Sequence, residues 1–165
     1  MASEYVSVSE YVETLLKGGE FEAGHITPPD LVDMLERDNQ EALRLVKNID
    51  TYGNASLMYE VSDVKIWANL GLHLGEKLKG AIALYTYRLT GDEKNKQKAI
   101  EYLQEALKYW DEVVKITRPI YLDMRLTHYN NNFFEANDDN LFHWALIRDE
   151  VARDIEIARS SQKKK

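Results

Sequence analysis

Apolar and polar positions along this chain repeat at helical spacing over most of its length. The longest such stretch runs from Ser62 to Trp110, where Val64, Trp67, Gly71, Leu74, Leu78, Ala81 and Tyr85 fall at alternating steps of three and four. That spacing lines one face of a helix. The pattern breaks at Thr90-Gly91-Asp92 and resumes with Ala99, Leu103, Ala106, Trp110 and Val113. Two amphipathic helices joined so tightly are expected to lie antiparallel and to bury these stripes.

The flanking segments follow the same rule. Ser7 or Ser9 caps a short helix with Val8, Val12, Leu15 and Leu16 inward, stopped by Gly18-Gly19 near Lys17. Thr27-Pro28-Pro29-Asp30 is a helix start: threonine as cap, proline in the first turn and aspartate on the dipole. Leu31, Leu35, Asp38, Ala42, Leu45 and Ile49 carry that helix to about Asn48, with Asp38 expected at its edge beside a basic partner. Asn54 or Ser56 caps the long helix, placed from Leu57 to Leu89, and the next runs from Asp92 or Glu93 to just before Arg118-Pro119. Asp138, Asp139 or Asn140 caps a last helix on Leu141, Ala145, Arg148, Ala152 and Ile155, ending near Arg159.

No strand is evident. The fold class expected is all-α: an antiparallel bundle of four main helices, a short N-terminal helix and a long aromatic loop before the last helix. Residues 1–165 read as a single helical domain, with 1–26 a weakly defined N-terminal segment and 160–165 a polar tail. Gly71, Gly75 and Gly80 interrupt the long helix at about 1 kcal/mol each against alanine. The first two share a face, where a neighbouring helix is expected to approach closely. Trp67, Trp110 and Trp144 are expected as core anchors.

Charge narrows the partners. Twenty-one basic against 28 acidic residues leave a net −7, and Lys163, Lys164 and Lys165 supply three of the positive charges from what reads as a solvated end. A body this acidic argues against a phosphate-reading face, so neither nucleic acid nor an anionic membrane surface is an expected partner. No apolar run approaches the ~20 residues of a bilayer span. The opening MASEYVSVSEYVE lacks the basic-then-apolar order of a signal peptide, and localisation stays open. The absence of cysteine removes disulfides, thiolate zinc sites and a cysteine nucleophile.

Catalytic constellations fail on residue identity. A di-metal carboxylate bundle needs Glu-x-x-His on two helices. The only such pair is Glu22 with His25, beside Gly24, and Leu70 stands three before His73. There is no G-x-S-x-G and no phosphate loop, and the many acid pairs suit a solvated face. No metal and no cofactor is expected. The stretch 119–139 differs, holding Tyr121, Arg125, His128, Tyr129 and three consecutive asparagines off any helical stripe. A loop so long and aromatic either packs over the domain or meets a ligand or partner. Arg118, Tyr121, Arg125, His128, Tyr129 and Asn131 are the candidate contact surface.

Trp67-Ala68-Asn69-Leu70-Gly71 matches the opening of a tetratricopeptide repeat, and Ala99 to Leu107 resembles a repeat's second helix. The two pieces lie too far apart for one 34-residue unit, and no other copy occurs. A longer run of matches is Gly75-Glu76-Lys77-x-x-Gly80-Ala81-x-Ala83-Leu84, then Thr90-Gly91-Asp92, then Ala99-x-x-x-Leu103-x-x-Ala106-x-x-x-Trp110. This resembles the helical C-terminal region of bacterial glycoside hydrolases of the α-glucuronidase kind and of related polysaccharide-degrading enzymes. It covers roughly Tyr59 to Arg159. The resemblance implies a non-catalytic accessory module of a carbohydrate-active enzyme, one exported in a bacterium, with the catalytic acids on a separate barrel. Its partner would be that catalytic domain or a second subunit, with at most weak carbohydrate contact. A free-standing helical module binding a protein or a ligand is the other expectation.

Overall fold

The computed structural model describes residues 4–130 and 133–164, with side chains described outside 125–140. Five helices and one hairpin follow in the order α1 (Val8–Leu16), α2 (Pro28–Val46), α3 (Ala55–Thr90), α4 (Glu93–Thr117), β1 (Met124–Asn130), β2 (Phe133–Phe142) and α5 (Arg148–Ser160). The helices form an all-α bundle centred on α3, which packs on α2, α4 and α1, while α5 packs on α4.

Helix starts agree with the local chemistry. Ser7 accepts from the Glu10 N–H, Asn54 from Leu57 and Asp92 from Lys94. Thr27 and Asp30 form a reciprocal capping box, satisfying two donors that the helix leaves open. Gly91 closes α3 with φ 78°, and its N–H donates to the Tyr87 carbonyl at 2.7 Å. Asp38 is exposed and accepts from Arg37 Nε at 2.7 Å, the edge position expected of it.

The core lies mainly between α3 and α4. Ala99, Leu103, Ala106, Trp110 and Val113, the predicted α4 stripe, are all buried. On α3 the buried face differs from the predicted one. Ile66, Asn69, Leu72, His73, Glu76, Gly80, Ala83 and Tyr87 turn inward, whereas Val64, Trp67 and Leu74 are exposed. The reason is that α3 is apolar on several sides and its inner face carries polar residues whose hydrogen bonds are satisfied within α3 or by α4. Asn69 Nδ2 donates to the Lys65 carbonyl at 2.8 Å, and His73 Nδ1 meets the Ala106 carbonyl at 2.9 Å. On α2 and α1, Val32, Val46 and Val12 are buried while Leu45, Leu15 and Leu16 stand in solvent, as does Ile49 just past the end of α2.

Close helix approach is concentrated at two glycines. A Cβ at Gly71 would sit 2.2 Å from Asn39 Nδ2, and one at Gly80 would sit 3.0 Å from Leu103 Cγ. At Gly75 the nearest atoms are 3.9 Å away, an ordinary contact, so only one of the predicted pair meets α2 closely.

Two segments depart from expectation. Residues 124–142 form an antiparallel hairpin in place of a loop, with Arg125 opposite Leu141, His128 opposite Glu135 and Tyr129 opposite Phe134. The last helix accordingly begins at Arg148, with no side-chain cap, and Leu141 belongs to β2. The polar tail docks across the end of α3. Lys164 donates its N–H to the Arg88 carbonyl at 2.7 Å and sets its ammonium 4.9 Å from the Tyr85 ring centroid. Ser161 is buried, held by Arg88 at 2.9 Å through its hydroxyl and by Lys96 at 3.0 Å through its carbonyl.

Candidate functional site

The six predicted contact residues do not converge on one described site. Arg118 is the C-cap of α4 and is engaged by Asp123 at 2.6 Å. Tyr121 donates its hydroxyl to Asp63 Oδ1 at 2.5 Å and tilts against the Trp144 ring, with centroids 5.7 Å apart. Those contacts tie the segment after α4 to the first half of α3. The Asp63 carboxylate, followed by partial burial, raises the Tyr121 phenol above its ordinary pKa. Arg125, His128 and Tyr129 take their places in β1, and Asn131 lies outside the described residues.

Around Trp144 an aromatic group closes the base of the hairpin. Phe142 meets it edge-on at 5.3 Å and His143 at 5.7 Å. Trp110 donates its indole N–H to the Trp144 carbonyl at 3.0 Å, so α4 anchors the turn before α5. His143 is not at a helix end. It is 1 % exposed, its Nδ1 accepts from the Ala145 N–H at 3.0 Å, and its Nε2 has no partner among the described residues.

Of the three tryptophans, Trp110 alone is a buried anchor; Trp144 is half-buried and Trp67 is 71 % exposed. Trp67 shares the first half of α3 with exposed Leu57, Met58, Tyr59 and Val64, and exposed Leu74 follows just past the midpoint. Tyr52, in the α2–α3 turn, is 88 % exposed, and Leu122, after α4, is 86 % exposed. Val64, Trp67 and Leu74 belong to the apolar stripe expected to be buried, whereas Tyr52, Leu57, Met58, Tyr59 and Leu122 lie outside it.

A cleft of about 350 Å³ lies between α2, α3 and α4, walled by Val32, Ile82 and Ala83 and rimmed by Asp33, Lys98 and Tyr102. Its Lys79 is locked between Glu36 and Glu76. Burial works against the Lys79 charge, but the hydrogen bonds from the two glutamates outweigh it and push the ammonium pKa upward. Asp33 and Lys98 form no ion pair among the described residues.

Chemistry for catalysis is thin on this surface. No group of three histidine, cysteine, aspartate or glutamate side chains with metal-binding geometry occurs among the described residues. The buried histidine of α3 is held below its ordinary pKa, chiefly by burial and against the pull of the Ala106 carbonyl. It is therefore a neutral packing group near pH 7 and contacts the Trp110 ring at 5.1 Å. No described helix is long and apolar enough to cross a membrane. No family model, no curated protein and no solved structure matches this chain.

Proposed function

We propose that this chain is a non-catalytic helical module of a carbohydrate-active enzyme, held against the catalytic domain or a second subunit. The observation that carries the reading is the stretch of α3 from Leu57 to Leu74, where Leu57, Val64, Trp67 and Leu74 stand in solvent on a helix otherwise packed by its neighbours. Large exposed apolar groups of this kind mark interaction surfaces, and tryptophan is the residue most enriched in their energetic centres. The resemblance of Gly75–Trp110 to the helical region of α-glucuronidase-like hydrolases supplies the kind of partner.

The test begins with the natural reading frame and its neighbours, which are expected to encode a glycosidase barrel. That barrel, expressed separately, is expected to bind this chain in calorimetry at micromolar concentration or tighter. The chain alone is expected to bind acidic xylo-oligosaccharides only weakly and to hydrolyse none. A genome locus without a glycosidase domain refutes the reading.

The cleft between α2, α3 and α4 favours a second reading, a free-standing ligand-binding module. Its rim offers a carboxylate and an ammonium that form no ion pair among the described residues, above an apolar floor. A small-molecule thermal-shift screen in which Asp33→Asn and Lys98→Met abolish a hit would establish that reading over the first.

A further inference from the structure

We propose that residues 161–164 form a clasp that controls how firmly α1 stays on the bundle, acting through the ring of Tyr85. The device belongs to this chain alone and depends on no partner. A helix of nine residues is too short to persist in water by itself, so α1 owes its form to what it packs against. It packs on α3, and Tyr85 of α3 donates its hydroxyl to Glu13 of α1 at 2.6 Å. The same ring has the Lys164 ammonium 4.9 Å from its centroid. One side chain of α3 thus serves two segments from opposite ends of the sequence.

The clasp is seated before it reaches that ring. Ser161 is buried, with Arg88 Nη2 donating to its hydroxyl at 2.9 Å and Lys96 Nζ donating to its carbonyl at 3.0 Å. The Lys163 stem lies over Gly91, where a Cβ would sit 2.8 Å from Lys163 Cδ. Lys164 then donates its N–H to the Arg88 carbonyl at 2.7 Å, one turn of α3 beyond Tyr85. These anchors lie at the end of α3, in the turn that follows and near the start of α4, all parts of the packed bundle.

Ring and hydroxyl are separate handles, so the two contacts do not compete. Lys164 holds the aromatic ring and Glu13 takes the hydroxyl. A tyrosine already ordered by the clasp offers Glu13 a group in place, and the entropy of fixing it is lost once rather than twice. Docking of the clasp and docking of α1 therefore favour each other, and the coupling is reciprocal. Tyr85 and Arg88 also line the groove between α3 and the start of α1, beside Val8 and Ser9. Release of the clasp loosens α1 there, and a helix that lifts away uncovers Val12, 3 % exposed in the closed form.

Hydrogen exchange followed residue by residue by NMR on the full chain tests the clasp. Lys164→Ala is expected to speed exchange of the α1 amides, those of Tyr11 and Lys17 among them, about two- to fivefold, the worth of one exposed cation–aromatic contact. Amides in the middle of α4 are expected to keep their rates. Lys164→Pro, which also removes the N–H given to Arg88, is expected to act more strongly on α1. In the reverse direction, Glu13→Ala is expected to speed exchange of the Lys164 amide by a similar factor. In a Tyr85→Leu background, Lys164→Ala is expected to leave α1 exchange where it stands. Unchanged α1 exchange in Lys164→Ala and Lys164→Pro overturns the proposal. Equal acceleration in α4 also overturns it, because that marks a loss of global stability. An undiminished response in the Tyr85→Leu background overturns it as well, because the coupling then bypasses the ring.

Discussion

Gly71 and Gly75 look equivalent on the helix, and the structure separates them. An alanine methyl at Gly71 meets the amide of Asn39, whose Nδ2 donates to the Leu35 carbonyl at 2.7 Å. Making room turns that amide away, losing about 1 kcal/mol of hydrogen bonding and adding about 1–2 kcal/mol of overpacking. The better helix propensity of alanine returns about 1 kcal/mol. Gly71→Ala is therefore expected to destabilise by about 1–2 kcal/mol. At Gly75 the nearest neighbours, Glu36 Cγ and Leu35 Cβ, lie at 3.9 Å, so only the propensity gain remains. Gly75→Ala is expected to stabilise by up to about 1 kcal/mol. With a urea m-value of about 2 kcal/mol/M, the Gly71→Ala midpoint should fall by about 0.5–1 M and the Gly75→Ala midpoint should rise by up to about 0.5 M. Asn39→Ala in the Gly71→Ala background removes the obstruction, and the double-mutant cycle should show about 1 kcal/mol of favourable coupling. Midpoints that shift together, or a cycle without coupling, refute close packing at Gly71.

Other expectations are equally direct. Trp110→Ala removes a buried ring and its bond to the Trp144 carbonyl and should cost about 3–5 kcal/mol in urea unfolding, whereas Trp67→Ala should leave the isolated chain within about 0.5 kcal/mol of wild type. Because burial depresses the His73 pKa below its ordinary 6.5, the unfolded chain takes up that proton first as pH falls. Stability should therefore decline below about pH 6.5, and His73→Gln should flatten that part of the profile; identical profiles from the two proteins would count against the assignment. Arg148 pairs with Asp111 through two bonds of 2.6 and 3.0 Å, but both groups are well exposed, so Arg148→Ala should cost only about 0.5–1 kcal/mol and less in high salt.

The hairpin shows how a local signal can be present and yet outweighed. Leu126, Thr127, Tyr129, Phe133 and Phe134 are good strand formers, and the asparagine run between them is a turn signal. Flanking helices and the absence of strict alternation made a loop the simpler reading, and only pairing of the two arms distinguishes the alternatives. Arg125, His128 and Tyr129 of the candidate contact surface lie on its first arm, while Arg118 and Tyr121 precede it. Tyr121 proved to be a tether between α3 and the segment after α4, which no sequence spacing announces.

What the sequence determined by itself is the set of helices and where α1 to α4 begin, because caps, prolines and Gly91 act within a few residues of themselves, whereas α5 begins at Arg148 without a side-chain cap, after a hairpin that only pairing defines. It also determined the inner face of α4, where one apolar stripe is bounded by charged residues and leaves no choice. On α3 the apolar positions run around more than one side, so periodicity alone did not single out the buried face. Tertiary packing decided that α4 takes the face of His73 and Gly80, that α2 meets Gly71, that α1 reaches Tyr85, and that Trp67 is left in solvent. Which of several apolar faces is buried depends on the helices that arrive beside it, and those positions are set by the whole chain rather than by the residues of α3 alone.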